Sequence, residues 1–571
     1  MKKWFWNLLL LFLMISCSKD DQLPTEPEPV AHVLPVEDPE VEKTIGFFLD
    51  NWQPKTFTAP PYTDENVPAV ATATVTVDAS SVITKIPVAI FAQNANTWMG
   101  IPTAKASADL KNLNPHIIRF PGGNLSNNYF WNAQQDKHPA DLPEVYVDKD
   151  GKKQKASWVY GRTDHNWEIT LDNYYALLQQ TNSVGMISVN YGYARYGTAP
   201  NPVATAAHLA ADWVRYDNGR TKYWEIGNEH YGDWQGGYRI DLSTNKDGQP
   251  EFITGELYGK HVQVFVDSMK KAAQDIGKTI FVGAVAYENN AESWDTQTTK
   301  TWNAGMFKAI NNKPDFYGVH NYFTPYDQNS NASVVFNAAL TQGEKMMNFI
   351  KQQIQTYGAA ARPIALTEWN MWAKDSKQQV SNVSGLFAVI VQAEALKNKY
   401  GMAARWDLLN GWDNGNDHGL FSNGDEGGGI PKWTARPSYY YMYYFQKLLG
   451  DRLVPTIVSG ASASSVKAYG STYSSGQSNV TLINTSGVQQ VVEVAFKNFN
   501  AGKRFYWYTL EGENDNGEFS RKVKINGSGT SGVAGGPADY ETIKARAALT
   551  SKGIKVAVPA RGGVFVVIDK P

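Results

Sequence analysis

The stretch that decides the fold is Lys222-Tyr-Trp-Glu-Ile-Gly-Asn-Glu-His-Tyr-Gly-Asp-Trp234. Its apolar and aromatic run from Tyr223 to Ile226 predicts a buried strand, which breaks at Gly227-Asn228-Glu229. A carboxylate just past the end of a buried strand, behind an asparagine and among aromatic side chains, lies where a barrel gathers its functional groups. The stretch therefore predicts a parallel (β/α)8 barrel of the TIM type, with Glu229 at its functional end.

A second stretch repeats this pattern further along the chain, at Arg362-Pro-Ile-Ala-Leu-Thr-Glu-Trp-Asn370. Here an apolar strand ends at Glu368, and Trp369 follows it. Two strand-end glutamates in aromatic surroundings suit glycoside hydrolysis, in which one protonated carboxyl releases the leaving group and one ionised carboxylate attacks the sugar. The residues themselves thus predict a glycosidase built around Glu229 and Glu368.

Strand and helix patterns alternate on both sides of these stretches, which is typical of an α/β barrel. The predicted strands are residues 86–91, 116–120, 184–190, 222–227, 279–285, 315–320, 363–367 and 405–410. Helical patterns lie between most of them, at residues 171–181, 204–216, 258–276 and 382–398, and an eighth helix fits residues 436–449. Glu229 then follows the fourth strand and Glu368 the seventh.

The hydrophobic pattern and the composition of the chain change near residue 450, which divides it into two folded parts. Residues 86–450 carry the barrel pattern, whereas residues 451–571 show short alternating runs between gaps rich in Gly, Ser and Asn. Such runs predict a C-terminal antiparallel β-sandwich. Residues 71–79 also alternate like a strand, and we expect the segment 45–85 to complete the sandwich rather than the barrel.

Composition narrows the possible partners. The chain has 571 residues, 42% of them hydrophobic, which is enough for one large and one smaller domain. Its formal net charge of −2 gives no electrostatic basis for binding nucleic acid, and none is expected as a partner. The 18 Trp, 30 Tyr and 24 Phe are numerous, and flat aromatic faces suit sugar rings, although a large core accounts for most of them.

The single cysteine, Cys17, excludes disulfides within the chain. It follows a basic start, Met1 to Asn7, and an apolar run, Leu8 to Ile15, that is too short to span a bilayer. Residues 1–17 therefore resemble a bacterial lipoprotein signal, in which this cysteine becomes lipidated. The resemblance implies a cell-envelope protein, held at the outer membrane by a lipid anchor on Cys17.

The residues after Cys17 favour a linker. Ser18-Lys-Asp-Asp21 resembles the acidic export signal of surface lipoproteins in Bacteroidetes-type bacteria, and a plain solvated linker is the alternative. Residues 18–44 are rich in Pro, Glu, Asp and Val without periodicity, which predicts a disordered acidic tether.

Three groups of motifs together resemble one family of enzymes. They are Arg119-Phe-Pro-Gly-Gly-Asn124 with Tyr129-Phe-Trp131, Trp224-Glu-Ile-Gly-Asn-Glu229, and Thr367-Glu-Trp-Asn370. In this order and spacing they resemble the α-L-arabinofuranosidases of glycoside hydrolase family 51 and their relatives in clan A, over residues 82–450. The resemblance implies a retaining double displacement without a cofactor, with Glu229 as acid/base and Glu368 as nucleophile.

The proposed pair makes physical demands that a structure can test. Glu229 needs a raised pKa, from aromatic desolvation and from the negative charge of Glu368. Glu368 must stay ionised, and retention requires the two carboxyl groups to lie about 5–5.5 Å apart. The expected substrate is a plant or algal polysaccharide or its oligosaccharides, with arabinofuranosides as the best single candidate.

Further residues are candidates for contact with the substrate. The resemblance implies that Asn228 binds the sugar 2-hydroxyl and that Asn124 contacts the sugar from the Pro-Gly-Gly-Asn turn. It also implies that His320 and Tyr322 face the glycosidic oxygen or the nucleophile. Each has a structural alternative, a turn residue for Asn124 and a buried histidine for His320. Candidate sugar platforms, each weighed against core packing, are Trp98, Trp131, Trp369, Trp406 and Trp412.

The sequence also departs from the family, which leaves other glycan specificities open. Family members carry a Gly-x-Phe-x-Glu-His turn after the first strand, whereas here Asn96 lies near the glutamate position of Phe91-Ala-Gln-Asn-Ala-Asn-Thr-Trp98. An endo-acting clan A hydrolase of xylan, glucan or agar type is therefore a second hypothesis. A non-catalytic surface glycan-binding lipoprotein is a third, and the presence of both glutamates argues against it.

The loop after the eighth predicted strand is polar. Its oxygen-rich side chains, Asp413, Asn414, Asn416 and Asp417, could hold Ca²⁺, but they lack the spacing of a recognised calcium loop. A plain turn is the favoured interpretation, and no metal site is predicted. The loop could close a pocket or wall a longer cleft, so exo and endo action both remain open.

Overall fold

The computed structural model of this protein describes residues 37–135, 137–372, 377–412 and 417–571. Its centre is a closed barrel of eight parallel strands, which confirms the predicted fold class. The strands, labelled β1 to β8 in chain order, are Ala92–Asn94, Ile117–Phe120, Val184–Val189, Thr221–Ile226, Phe281–Val285, Phe316–Asn321, Ile364–Trp369 and Met402–Arg405. Each pairs with the next along the chain, and β8 closes the barrel onto β1.

A helix follows each barrel strand. These helices, α1 to α8, are Ala104–Leu113, Leu171–Thr181, Pro202–Asp217, Gly255–Asp275, Gln297–Ala309, Ala332–Tyr357, Asn382–Lys397 and Pro437–Leu448. A short helix, Tyr193–Tyr196, precedes α3. A Ser, Thr or Asn side chain caps the first seven by accepting a backbone N–H, which fixes where each helix begins. The capping residues are Thr103, Thr170, Asn201, Thr254, Thr296, Asn331 and Ser381.

Two predicted barrel strands are wrong in position. Residues 86–91 are not β1, because Pro87 has no N–H for a ladder and Val88–Ile90 form a 3-10 turn below the barrel. The true β1 is short and polar, and Asn94 points into the barrel, where it donates to the Thr367 carbonyl at 3.0 Å. The eighth strand ends where the predicted 405–410 begins, and Leu409–Asn410 pair instead with Phe421–Ser422.

The segment before the barrel closes its lower end. Gly46–Leu49 form a 3-10 turn whose two phenylalanines pack under the barrel. Phe47 stacks on Phe281 with ring centroids 3.8 Å apart, and Phe48 lies 5.1 Å from Tyr223. The opposite end, where the strands finish, therefore stays open for the βα loops.

The remaining strands form two packed sheets and three small ribbons. The nine-stranded sheet contains Tyr62–Asp64, Thr84–Lys85, Arg452–Val454, Val466–Thr472, Ser478–Asn484, Arg504–Gly512, Val523–Ile525, Ala545–Leu549 and Gly562–Ile568. The four-stranded sheet contains Ala73–Asp78, Thr456–Ser459, Gln490–Lys497 and Lys555–Val558. The ribbons pair Tyr129–Phe130 with Val159–Tyr160, Val145–Val147 with Lys153–Lys155, and Leu409–Asn410 with Phe421–Ser422.

Residues 45–85 contribute to both parts of the molecule. Strand Ala73–Asp78 lies between Thr456–Ser459 and Gln490–Lys497 and runs parallel to the latter. Its inward residues Val75 and Val77 are fully buried in the sandwich core. The sandwich is thus antiparallel within residues 451–571, whereas the N-terminal segment adds parallel pairings.

The predicted tether is too long at its C-terminal end. Asp38 forms an ion pair with Arg452 at 2.6 Å, and Glu42 one with Lys399 at 2.7 Å, so these residues lie against the folded body. Cys17 and the rest of the predicted signal and tether up to residue 36 lie outside the described residues. No helix within the described ranges is both long and apolar enough to cross a membrane.

Candidate active site

Glu229 and Glu368 meet at the open end of the barrel. Glu368 lies at the end of β7, and Glu229 follows β4 after a turn at Gly227 with φ of +73°. A Cβ at Gly227 would lie 2.5 Å from the His230 ring, so only glycine fits this turn. One carboxylate oxygen of each glutamate and one ring nitrogen of His320 all lie within 4.8 Å of one another. An upper bound of this size fits a retaining pair of carboxyl groups, about 5–5.5 Å apart, better than an inverting pair, which needs room for a water molecule.

The two oxygens of Glu229 face different neighbours. Oε1 lies 3.0 Å from His320 Nδ1, which in turn lies 3.8 Å from Glu368 Oε2. Oε2 accepts a hydrogen bond from Trp234 Nε1 at 3.0 Å and a longer one from Gln235 Nε2 at 3.4 Å. The carboxyl group is therefore held in one orientation from both edges.

Glu368 is held by a cation and a phenol. Its Oε2 accepts from Arg119 Nη1 at 3.2 Å, and its Oε1 accepts from the Tyr322 hydroxyl at 2.6 Å. Arg119 has no exposed surface, so its charge acts on Glu368 with little screening from water. Arg119 and Tyr322 orient the carboxylate and favour its ionised form, against burial, which raises its pKa.

A buried hydrogen-bond chain links the two glutamates beneath the site. Arg119 also donates to Glu225 Oε2 at 2.8 Å, and Glu225 Oε1 accepts from the Thr367 hydroxyl at 2.8 Å. The Thr367 oxygen in turn lies 3.0 Å from His320 Nε2. Because the hydroxyl proton goes to Glu225, the Thr367 oxygen must accept from His320, which assigns a proton to Nε2.

This assignment fixes how the Glu229–His320 pair handles its proton. With Nε2 protonated, Nδ1 can approach Glu229 at 3.0 Å only if one proton lies between them. That proton belongs either to a neutral Glu229 carboxyl group or to a His320 imidazolium. The pair therefore stores one transferable proton beside Glu368.

The pKa directions of the two partners favour His320 as the holder of this proton. Burial acts to raise the pKa of Glu229, but hydrogen bonds from His320 and Trp234 outweigh it and lower that pKa. Burial acts to lower the pKa of His320, but the charges of Glu368 and Glu229 raise it. Burial raises the pKa of Glu368, and the charge of Glu229 adds to that effect. The pKa of Glu229 is thus lowered and not raised as expected, because the hydrogen bonds from His320 and Trp234 outweigh burial.

The candidate sugar-binding asparagines differ in their surroundings. Asn228 is buried, and its Oδ1 accepts from Arg119 Nη2 at 2.9 Å. Its amide nitrogen has no hydrogen-bond partner within the described ranges, which leaves a donor beside the glutamates. Asn124 is exposed at the start of the 3-10 turn Asn124–Asn128 and makes no side-chain hydrogen bond to the described chain. Both asparagines are free to bind a ligand through at least one group.

Among the tryptophans, Trp406 is placed by the Pro-Gly-Gly-Asn turn. A Cβ at Gly122 would lie 2.7 Å from the Trp406 ring and one at Gly123 2.8 Å, so these glycines admit the ring. Trp98 meets Trp406 edge to face at 6.2 Å and donates to Asn410 at 3.3 Å. The two indoles form one aromatic wall at the end of β8.

Three predicted contacts are better explained as supporting structure. Trp369 is fully buried and packs on Phe387, since it points away from Glu368 along the strand. Asn96 is also fully buried, and its amide donates to Asp407 and to the Leu409 carbonyl at 2.6 Å. The Trp131 ring packs on Trp213 and donates to a backbone carbonyl. These three side chains are buried and held by contacts within the protein, and their roles as substrate contacts stay predictions.

Trp412 lies in the loop after β8, at the edge of the open end of the barrel. Its backbone N–H donates to Asp425 at 3.2 Å, and the Arg521 guanidinium from the sandwich lies 5.9 Å from its ring. Residues 413–416, and with them most of the possible calcium ligands, lie outside the described residues. Asp417 forms a buried ion pair with Arg436, so its carboxylate has a structural role.

The donor types of the site would also suit a divalent cation, since Glu229, His320 and Glu368 bring two carboxylates and an imidazole together. Arg119, however, lies 3.2 Å from Glu368, so a second cation there would meet strong repulsion. We therefore assign no metal to the site.

Sequence reasoning missed one acidic residue beside the pair. Glu288 follows β5, is buried, and accepts from Asn321 Nδ2 at 2.9 Å through Oε1. Its other oxygen, Oε2, is buried without a hydrogen-bond partner. Burial raises the pKa of Glu288 to about 7, and the charge of Glu229 adds to the effect. The sequence feature that indicates this residue is its position, as a third acidic residue shortly after a predicted barrel strand, residues 279–285.

Glu288 should make stability depend on pH. The unfolded chain releases this proton near pH 4.5, whereas the folded protein keeps it until about pH 7. Because the unfolded state binds fewer protons in that window, stability falls as pH rises, by about 3 kcal/mol in total for this group. Glu288→Gln mimics the neutral form and should gain stability over the native protein between pH 5 and pH 8.

The measurement is the difference in urea midpoint between Glu288→Gln and the native protein at both pH values. Glu292→Gln, an exposed acid in the same loop, is the matched control and should show no such trend. A difference that stays constant from pH 5 to pH 8 would contradict a neutral, buried Glu288.

Comparison with known proteins adds to this geometry. No family model matches the chain. It is 22% identical, over 290 residues, to an intracellular exo-α-(1→5)-L-arabinofuranosidase of Acetivibrio thermocellus, a match that covers 48% of this chain and 49% of that protein. The chain thus spans about half the length of the curated relatives it matches.

Solved structures share the whole architecture. An α-L-arabinofuranosidase of Thermotoga maritima, in its arabinose complex, superposes with a TM-score of 0.60 at 17% identity, over 87% of this chain and 99% of that one. A bifunctional glucanase-xylanase from a metagenome library superposes with a TM-score of 0.56 at 14% identity, over 88% and 99%. At these identities the likeness shows the fold, a (β/α)8 barrel with a β-sandwich.

Fold and site together define a (β/α)8 barrel that carries a pair of glutamates at the open end of its strands. The matched relatives are named as α-L-arabinofuranosidases, and several of the structural neighbours as family 51 arabinofuranosidases, which agrees with the resemblance carried by the sequence motifs.

Proposed function

We propose that this protein is a retaining glycoside hydrolase, with α-L-arabinofuranosides as its best single substrate class. The observation that carries the proposal is the pairing of Glu229 and Glu368 within 4.8 Å, beside a histidine that stores a proton. Arg119 and Tyr322 hold Glu368 in the orientation of a nucleophile. A glycan-binding protein without activity would have no use for this arrangement.

In the first step, Glu368 attacks the anomeric carbon while Glu229 protonates the glycosidic oxygen. The one stored proton moves from His320 Nδ1 to Glu229 across their 3.0 Å hydrogen bond, and the Glu229 carboxyl group then gives it to the leaving group. The bond from sugar to leaving group breaks, and a sugar ester of Glu368 forms.

In the second step, Glu229 acts as base and removes a proton from water, which attacks the ester and releases the sugar with its original configuration. Formation of the ester has already neutralised Glu368, one of the two charges that keep His320 protonated. The Asn228 amide can donate to a sugar hydroxyl beside the reacting carbon, because Arg119 already occupies its oxygen.

The substrate class is supported by the relatives. The relatives, matched over about half of their length, are arabinofuranosidases, and three of them act on α-(1→5)-linked arabinose by their names. An endo-acting hydrolase of xylan or glucan remains a second candidate, because the barrel also resembles a glucanase-xylanase and because Asn96 is buried rather than directed at a ligand.

A substrate panel tests the proposal and separates these candidates. The protein is incubated with aryl glycosides of arabinofuranose, xylose, glucose and galactose, and with arabinan, arabinoxylan, β-glucan and agar. Release of arabinose from the aryl furanoside supports the first candidate. Cleavage of a polymer without that release supports the second, and absence of any hydrolysis contradicts both.

We propose further that Cys17 is lipidated and holds the protein at the outer membrane, since the single cysteine directly closes the apolar run Leu8 to Ile15. Cys17→Ser should move the protein from the membrane fraction to the soluble fraction of the cell, measured by fractionation and immunoblot. Ser18→Ala is the matched neighbour and should leave it in the membrane. Membrane retention of Cys17→Ser would contradict the anchor.

A further inference from the structure

The most exposed aromatic side chains all lie at the catalytic end of the barrel. Among the described Trp and Tyr residues, four are more than half exposed: Trp294 at 79%, Tyr326 at 75%, Trp234 at 56% and Trp167 at 53%. They lie in the loops after β5, β6, β4 and β2, at the end that carries the two glutamates. Large aromatic rings left in water on one face mark a surface that is covered when a ligand binds.

Trp234 lies on the leaving-group side of the acid/base. Glu229 Oε1 faces His320 and the nucleophile, whereas Oε2, on the other edge, accepts from Trp234 Nε1 at 3.0 Å. The sugar that is attacked must lie over Glu368, so the departing group lies beyond Glu229. The exposed face of Trp234 is therefore next to that group.

The loop of Trp294 is fixed beside this position. Tyr287, at the start of the loop, packs on Tyr231 with ring centroids 4.9 Å apart, and Tyr231 meets Trp234 at 6.4 Å. At the end of the loop, Thr299 donates to the Tyr231 carbonyl at 2.8 Å. Trp294 thus lies on a segment that is anchored on both sides, through Tyr287 and Thr299, to the tyrosine that also contacts Trp234.

Hydrogen bonds of neighbouring residues hold the backbone around Trp294. Lys300 Nζ, on α5, donates to the carbonyl of the preceding residue Ser293 at 2.7 Å, and Asp295 accepts from the Glu292 backbone at 2.6 Å. These bonds fix the backbone on both sides of the exposed ring. A ring on a fixed backbone binds a flat partner at a smaller entropic cost than one on a loose loop.

We propose that Trp234 and Trp294 form a platform that binds the sugar chain of the leaving group, an inference that rests on the proposed glycosidase function. The substrate is then a sugar attached to an oligosaccharide or polysaccharide, and a small aglycone uses only the inner part of the site. Pyranose and furanose rings present apolar C–H faces that stack on indole, and such faces continue along a glycan chain. The platform makes leaving-group length a determinant of turnover.

The experiment compares two substrates of the sugar selected by the panel, 4-nitrophenyl α-L-arabinofuranoside and α-1,5-linked arabinotetraose in the first candidate case. In the full chain, Trp294→Ala should lower kcat/KM for the tetrasaccharide about tenfold or more, mainly through KM. For the aryl glycoside it should change kcat/KM less than about twofold, since that aglycone does not reach the outer ring. Because the side chain is exposed, the variant should keep its melting temperature.

Trp167→Ala is the matched control, since this tryptophan is also more than half exposed and lies in a different loop, the one after β2. It should leave the ratio of the two kcat/KM values unchanged. An equal loss on both substrates in Trp294→Ala, or no loss on either, would overturn the platform.

Failure of the proposed function is separable from failure of the platform. If the native protein hydrolyses no glycoside, the platform is judged by calorimetric binding of arabinotetraose and of xylotetraose. Weaker binding by Trp294→Ala than by the native protein supports the platform, and equal or undetectable binding overturns it.

Discussion

Replacing Glu368 by glycine should abolish hydrolysis while the protein stays folded. We expect a loss on the order of 10⁵-fold in kcat on aryl and natural substrates alike, because the covalent route is closed for both. Arg119 would keep its contacts with Glu225 and Asn228, so the barrel retains its buried ion pair. The measurement is kcat on the aryl glycoside, with the melting temperature as the check on folding.

Added azide gives this prediction its sharpest test. A small anion can enter the space left by the Glu368 carboxylate, between Arg119 and Tyr322, and attack the sugar from the nucleophile's side. The product should be a glycosyl azide of inverted configuration, identified by NMR. Tyr322→Phe is the control, because it keeps the carboxylate and removes one hydrogen bond, so it should retain activity and yield no azide product. An azide product of retained configuration from Glu368→Gly would assign the nucleophile's role to Glu229.

The sequence predicts the barrel best where a strand is apolar and ends sharply. β4 and β7 were placed within two residues, since an apolar run is followed by Gly227 in one case and by the Glu368-Trp369 pair in the other. β1 was misplaced because it is only three residues long and polar, while the apolar residues before it form a turn after Pro87. Hydrophobic pattern cannot reveal that a short polar strand completes a barrel, since closure supplies its partners.

The sequence predicts the two glutamates at the open end of the barrel but not the buried residues that hold them from below. Glu229 and Glu368 follow strands and could be found, whereas Arg119 and Glu225 lie within strands, where only the closed barrel shows that they face each other. Their signal was a charge in the middle of an apolar strand, as in Ile117-Ile118-Arg119-Phe120. Trp369 was assigned to the substrate by its neighbour Glu368, although alternation along a strand directs adjacent side chains to opposite faces.

The buried chain also explains why the expected pKa of Glu229 could not be obtained from sequence. Aromatic surroundings alone would raise it, as in other acids placed in apolar pockets. The structure adds His320, whose orientation depends on Thr367 and, through it, on Glu225. One proton is therefore shared between His320 of β6 and Glu229 of the loop after β4. This sharing arises only when the fold brings the two side chains together.

Glu229→Ala should separate substrates by leaving group. For an oligosaccharide, whose alkoxide needs protonation, we expect a loss of roughly 10³-fold in kcat/KM, the usual size of a general-acid contribution. For a 4-nitrophenyl glycoside the first step needs little proton transfer, so kcat/KM should fall less than about tenfold. The sugar ester of Glu368 should then accumulate, seen as a burst of nitrophenol, because no base remains to activate water.

The pH profile distinguishes this role from a structural one. In the native protein, kcat/KM should fall at alkaline pH, when the Glu229–His320 pair loses its stored proton. The variant should lose this alkaline limb for the aryl substrate. Azide should speed its turnover and give a product of retained configuration, since the anion attacks the ester from the side that Glu229 occupied. Equal losses on both substrates, with the alkaline limb intact, would show that Glu229 only shapes the site and that the acid must be sought elsewhere on the face.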